Sequence, residues 1–456
     1  MLVSPLFLFP YLSDDVMSVV LYWLTAFGCL WLVLSPSQLR GETLHQARGR
    51  ALREIKRDPL FWLSCFLVVL NAVRYANCAI RLVYDAETTR WNLGGSVTFL
   101  PGGIPGSGTM PFAMSLMAVV LLAASRHSLG KAARVAFLFA ASAFSGLAAI
   151  IACTLVVLKN DYALTFAGCS YDTPSFIGVV FGLFAIGGTM SYIAALERKT
   201  WRKLLPLSVF IIGGNVTGAI YFAPALPLGI FAVAEVFALI LSVVLAGRSV
   251  GASSLFRGLT IFALGLLIPV LFIAGLPTGD LLTSRMAVFM GGSPFPDGYA
   301  ATRDVLSRIA MKAWSGNEWL GTGLETFNLD IKFLASAADW KAISPMNAGA
   351  YSSWWHVLAE RGIVGALMIV VPFGFLLWTY GRRLVWALGR HSFLPTCWLA
   401  PIALAATVAT GFFDISFLRP DVLVVLGTYM AISASSMPQP RHSDGEDANG
   451  EKQVEG

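Results

Sequence analysis

The sequence predicts an all-α, polytopic membrane protein with about eleven transmembrane helices and one large outer loop containing short helices. Three observations carry the prediction. Of 456 residues, 56% are hydrophobic and only 13% are charged, outside the balance of soluble domains. Apolar runs close to the spanning length of about 20 residues recur along the chain. The basic residues fall in short segments between those runs. A chain of this composition has to satisfy its backbone inside the bilayer, which leaves helix packed on helix as the architecture. One transmembrane domain over 1–437 is therefore expected. The net charge of +6 is dispersed in these segments, so its role is topological and nucleic acid is not an expected partner.

The runs lie near 16–36, 59–80, 110–125, 135–157, 174–196, 204–222, 226–246, 258–276, 359–380, 393–412 and 422–437. The segment holding Arg40, Arg48, Arg50, Arg53, Lys56 and Arg57 is basic, as is every second segment after it: 126–134, 198–203, 248–257 and 382–390. Basic segments stay in the cytoplasm, so the start, with Asp14 and Asp15, is placed outside and the tail inside. That tail, 438–456, carries Asp444, Glu446, Asp447, Glu451 and Glu455 and reads as disordered. The first residues lack a basic start and a small-residue cleavage pattern, so the first span is taken as the insertion signal. Six cysteines show no paired short spacing, which argues against a metal site. Cys29, Cys65, Cys153 and Cys397 lie in apolar runs, where a thiol acts as a small hydrophobe. Cys78 and Cys169 fall on the outer side, where a disulfide is open to them. No internal repeat is found.

Two outer segments are long, the Gly/Pro-rich 85–109 and the segment 277–358, and a loop of the second length is where chemistry is expected. From Ala300, ATRDVLSRIAMKAW puts Val305, Leu306, Ile309 and Ala313 on one arc and Arg303, Asp304, Ser307, Arg308 and Lys312 on the other. It reads as an amphipathic helix lying over the membrane domain. Asp304, Arg308 and Lys312 recur every four residues, so an intrahelical ion-pair stripe explains part of the pattern. In GNEWLGTGLETF, Gly321 and Gly323 flank one threonine; such a pair permits a sharp turn and close approach of a ligand. A dinucleotide cradle would need a third glycine and a buried strand before it.

WWHVLAERGIVG, 354–365, precedes a span. Ser352, His356 and Glu360 fall on one helical stripe, but a straight helix cannot fold a nucleophile, base and acid around one substrate atom. Two readings stay open for this stretch. Glu360 orients His356 or raises its basicity, leaving the other ring nitrogen free at the membrane surface, or Trp354, Trp355, His356 and Arg361 form an interfacial anchor without chemistry. Gly362 and Gly365 permit close helix packing. Elsewhere, Arg74 and Arg81 are spaced for one helical face near the end of the second span, as ligands for a lipid diphosphate or as snorkelling side chains. Glu235, in the middle of the seventh span, is divided in the same way between a functional and a structural role. Asp85 and Glu87, in YDAETTR, faintly echo the paired acids of metal-dependent membrane glycosyltransferases.

The order of these features resembles the O-antigen ligase and polymerase superfamily. The matching pieces are Arg303 or Arg308, then Gly321-Thr322-Gly323 with Phe327, then Leu358-Ala359-Glu360-Arg361-Gly362-Ile363-Val364-Gly365. The match covers roughly 303–365. The resemblance implies an integral glycosyltransferase of the bacterial inner membrane that acts at the periplasmic face on glycan carried by undecaprenyl diphosphate. It further implies inversion, no metal and no cofactor, with a chain-length regulator protein as a candidate partner. Loop arginines would hold the diphosphate, and Arg is suited to that by its fixed fork of donors and permanent charge. Arg303 and Arg308 are the candidates, with Arg285 and Arg74 behind them; Gly321 and Gly323 would bring loop backbone near the substrate. His356 would take a proton from the acceptor hydroxyl. The family's His-Asn pair falls on Tyr351-Ser352 here, so the base is His356, Tyr351 or a loop carboxylate such as Asp339. Absence of that pair favours a polymerase of oligosaccharide repeat units over a ligase that moves finished glycan to lipid A core. A flippase or transporter, the reading from another class, would show two similar halves and broken helices near the midplane.

Overall fold

The computed structural model describes chiefly residues 42–58, 80–85, 90–95, 131–159, 165–166, 169–170, 175–196, 205–223, 225–246, 299–323, 326–341, 352–388, 395–413 and 420–436, with scattered positions in 27–36, 61–69, 120–124 and 253–267. Helix dominates. The chain runs through α1 (Leu44–Lys56), β1 (Ile80–Asp85), β2 (Arg90–Gly95), α2 (Lys131–Lys159), β3 (Thr165–Phe166) and β4 (Cys169–Ser170). Next come α3 (Ser175–Leu196), α4 (Leu205–Phe222), α5 (Ala225–Ala246), α6 (Tyr299–Gly316), α7 (Phe327–Leu334) and α8 (Ala337–Trp340). Last are α9 (Ser353–Leu388), a 3-10 turn (Pro395–Trp398), α10 (Leu399–Thr410) and α11 (Pro420–Ser436).

Among the described residues, Gly178–Leu196, Leu226–Val244 and Ser353–Val371 are long and apolar enough to cross a membrane, and Val135–Ile151 and Thr396–Thr410 are shorter apolar helices. The protein thus has the helical character of a membrane protein. Helix α3 is its hub: the 178–196 stretch is wholly buried, against α2, α4, α5, the 3-10 turn, α10 and α11. The core joins Leu138 of α2, Val179, Leu183 and Ile186 of α3, Phe231 of α5, Ile402 of α10, and Val425 and Tyr429 of α11. Two side-chain bonds tie helices together here: Tyr429 Oη donates to Leu183 O at 2.8 Å and Asn215 Nδ2 to Ser142 O at 2.8 Å. Helix α5 has one face turned outward, with Val233, Val236, Phe237, Ile240 and Val244 exposed.

Two short antiparallel ribbons accompany the helices, with Ile80 opposite Gly95 and Thr165 opposite Ser170. The first corrects one expectation. Arg81 lies in a strand, where side chains alternate between faces, so the helical face it was to share with Arg74 does not extend to it. Arg74, Arg285, Tyr351, Glu87 and Cys78 lie outside the described residues, as do the side chains of Arg81, Asp85 and Cys169.

Candidate functional site

The predicted amphipathic helix is α6, and its apolar arc is the buried one: Val305 is 6% exposed, Leu306 0%, Ile309 1% and Ala313 4%. These residues pack on Phe327 and Ile331 of α7, on Ile343, and on Ala359 of α9, with Trp355 against the edge. A small second core, separate from that of the bundle, thereby joins α6 and α7 to the head of a membrane-type helix.

The joint itself is made of backbone. Helix α9 breaks at Gly362, whose φ of 62° and ψ of −166° are not helical. In an unbroken helix Ile363 N–H would bond Ala359 O, and Val364 N–H would bond Glu360 O. The break frees all four groups, and buried backbone groups need partners. The stretch 318–323 supplies them: Thr322 N donates to Ala359 O at 2.8 Å, Gly323 N to Glu360 O at 3.0 Å, Ile363 N to Glu318 O at 2.9 Å and Val364 N to Trp319 O at 3.0 Å.

Glycine is required on both sides of this joint. Gly321 has φ +70°, and a Cβ there would lie 2.4 Å from Arg361 N; Gly362 has φ +62°, and its Cβ would lie 2.4 Å from Trp319 O. The close approach predicted for Gly321 is therefore made to α9. Gly362 serves a helix break more than helix packing.

Short side-chain contacts sit on this joint. Glu360 is 5% exposed, and its Oε1 lies 3.4 Å from His356 Nε2. The same oxygen accepts from Phe327 N at 3.3 Å. Thr326, the cap residue of α7, makes no side-chain cap bond, so Glu360 caps that helix from another element, where an acidic group is favoured. The imidazole of His356 meets the Phe327 ring edge-on at 5.4 Å, and its Nδ1 is buried with no hydrogen-bond partner among the described residues. The predicted Glu360–His356 contact is made. The second ring nitrogen, expected at the surface, is buried instead.

Thr322 faces the same place. Its Oγ1 lies 2.8 Å from Asp330 Oδ2 as donor, 2.7 Å from Thr326 Oγ1 and 3.2 Å from Ala359 O. Burial, and secondarily the nearby Glu360 charge, push the Asp330 carboxyl up to about 6. Sequence reasoning missed Asp330 and Thr322 as site residues; Asp330 follows Phe327 by one helical turn, a spacing that becomes informative only once Phe327 is known to face His356.

The arginines diverge. Arg303 and Arg308 are five residues apart, about 140° around a helix, and the structure sends them to different sides of α6. Arg303 Nη2 donates to Phe412 O at 3.0 Å, with its guanidinium carbon 5.5 Å from the centre of the Phe413 ring. The turn it meets also receives the start of α9, since Ser353 N donates to Gly411 O at 2.8 Å and the Trp354 ring lies 5.7 Å from that of Phe412. Arg308 pairs with Asp339 at 3.1 Å while its side chain remains 63% exposed. The predicted Asp304–Arg308–Lys312 stripe is thus replaced, at Arg308, by a partner on α8.

Asp339 also accepts from Ser336 N at 2.9 Å and Ser336 Oγ at 2.7 Å. Those bonds, with Arg308 and Lys312 nearby, hold its carboxyl below the ordinary range. A carboxylate so occupied is a poor base. The hydrolase stripe also fails in detail, because Ser352 Oγ faces Gly411 O at 3.3 Å and Trp355 N at 3.5 Å. Trp354 and Trp355 are half-buried inside the protein. In the bundle, Glu235 accepts a hydrogen bond from Thr189 Oγ1 of α3.

The fold and this joint define a helical protein of membrane character carrying a compact polar unit at the head of one apolar helix. No protein-family model matches the chain, and no curated protein matches it. The superfamily resemblance therefore rests on the residues of 303–365 themselves.

Proposed function

We propose that the protein is a polymerase of undecaprenyl-diphosphate-linked oligosaccharide repeat units, building a surface polysaccharide such as O-antigen or exopolysaccharide by inverting glycosyl transfer. In this reading about eleven spans cross the bacterial inner membrane, and 299–364 faces the periplasm. One observation carries the proposal: the three separated pieces of the motif, at 303–308, 321–327 and 358–365, meet in one packed unit at the start of α9. Pieces that were merely interfacial anchors would have no reason to interlock.

The chemistry follows from the groups present. The acceptor hydroxyl attacks the anomeric carbon of the growing glycan while the bond from that carbon to the diphosphate oxygen breaks. The electron pair departs with the undecaprenyl diphosphate. Arg303 stabilises that charge, its position fixed by Phe412 O and the Phe413 ring; the exposed Arg308 offers further donors. Charge stabilisation suits a leaving group of this kind better than protonation. His356, held by Glu360 at Nε2, takes the hydroxyl proton on Nδ1, the nitrogen left without a partner among the described residues.

The test is the size distribution of surface and lipid-linked glycan in cells lacking the protein. Glycan stalled at one repeat unit supports the proposal. Full-length polymer left on undecaprenyl diphosphate would point instead to a ligase acting on lipid A core, and an unaltered profile would reject both.

A further inference from the structure

We propose that Asp330 is a positioning residue of this site, a carboxyl that Thr322 and the first turn of α7 hold beside His356 and Glu360 so that its charge acts on both. The inference rests on the transferase reading for its role in catalysis, but not for its geometry. Thr322 is the connecting group. Its N–H holds Ala359 O, one residue from Glu360, and its hydroxyl holds Asp330 Oδ2. Phe327, one turn before Asp330, carries the N–H bonded to Glu360 and the ring against His356. Two carboxyls and one imidazole therefore converge at the start of α7.

Among the described residues, Glu360 and His356 of α9 act on Asp330. Helix α6 turns its apolar arc toward α7 and sends Arg308 to Asp339. On α7 itself, Lys332 is exposed.

Two carboxylates close together are held apart by repulsion unless a proton or a cation lies between them. A proton on the His356 imidazole is attracted by both. When the acceptor hydroxyl gives its proton to His356, the neighbouring carboxylates stabilise the cation that forms. Asp330 thus influences the reaction without touching substrate. The raised titration of its carboxyl, to about 6, agrees with a group that exchanges its proton near neutral pH. The loop carboxylate that serves the base is then Asp330, while Asp339 is engaged elsewhere.

The experiment reads His356 directly and needs no substrate. Histidine labelled with carbon-13 at Cε1 gives each imidazole an NMR signal that follows its protonation without solvent contact, and the signal lost in His356→Gln identifies it among the five histidines of the chain. In the full-length protein in detergent, Asp330→Asn is expected to move the midpoint of that signal to lower pH, because a neighbouring negative charge is removed. Thr322→Val, which keeps every carboxyl, tests the link with less risk to folding and is expected to move the midpoint by a smaller amount. Asp330→Glu is expected to restore it. A midpoint unchanged in both Asp330→Asn and Thr322→Val would overturn the cluster. If the midpoint shifts but no glycan transfer is detectable in wild type, the cluster stands and the transferase reading fails.

Discussion

The helix bundle and the 299–364 unit are held together by different physics. Around α3, apolar side chains fill the space; what matters is volume, and such cores accept volume-conserving exchanges at a cost under about 1.5 kcal/mol. In the 299–364 unit a small apolar core is joined by contacts of backbone to backbone, between a broken helix and a glycine turn. At Gly321 and Gly362 no side chain fits. A bundle of this kind is a scaffold, while a joint of this kind fixes a small number of side chains in one geometry, which is the requirement of a site.

The largest expected effect separates the two regions at glycine. Gly362→Ala combines a left-handed conformation, costing roughly 1–2 kcal/mol, with a clash against Trp319 that should add about 1–3 kcal/mol. Limited proteolysis should show 299–364 cut at sites that are protected in wild type. Gly374→Ala, where an added Cβ meets nothing within 4 Å, should leave the digest unaltered. Equal sensitivity at both positions would erase the distinction.

Next in size, Glu360→Ala removes the acceptor of Phe327 N and the neighbour of His356 in a buried setting, at a cost of about 1–3 kcal/mol. Thermal unfolding followed by tryptophan fluorescence would report it, and transfer should be lost along with it. Retained transfer would show that His356 needs no orienting group.

A smaller contrast lies within the 299–364 unit, between two aspartates nine residues apart. Asp330, raised to about 6 from 3.8, contributes stability that is fully present below its ordinary value and lost as pH rises through about 6. Asp339, lowered chiefly by Ser336, contributes stability present above the ordinary carboxylate value and lost as pH falls through its depressed value. Between about pH 4 and 6, Asp330→Asn should flatten the dependence of stability on pH, and Asp339→Asn should leave that window unaltered. Smallest of all, Arg308→Ala removes one exposed ion pair and should change stability by less than about 1 kcal/mol.

The same contrast governs what could be read from sequence. Hydropathy alone placed α2, α3, α4 and α5 within a few residues of their observed ends, because a helix apolar on every side leaves little else to be. The buried arc of α6 followed from its period of 3.6, and the Glu360–His356 contact from a four-residue step. The joint did not follow. It depends on Gly362 leaving the helix and on 318–323 arriving to satisfy the exposed amides, a pairing across about 40 residues that no local pattern records. Asp330 and Thr322 became visible only through that pairing. The opposite directions of Arg303 and Arg308 were implicit in their spacing, but their partners, Phe412 and Asp339, were not.

On the proposed function, this unit lengthens a lipid-linked glycan. Purified protein in proteoliposomes, supplied with undecaprenyl-diphosphate-linked repeat units, should produce oligomers of two or more repeats and release undecaprenyl diphosphate. Arg303→Ala, correctly inserted, should produce neither. Repeat units left unchanged by the wild-type protein, or oligomers formed equally well by the Arg303→Ala variant, would contradict the account.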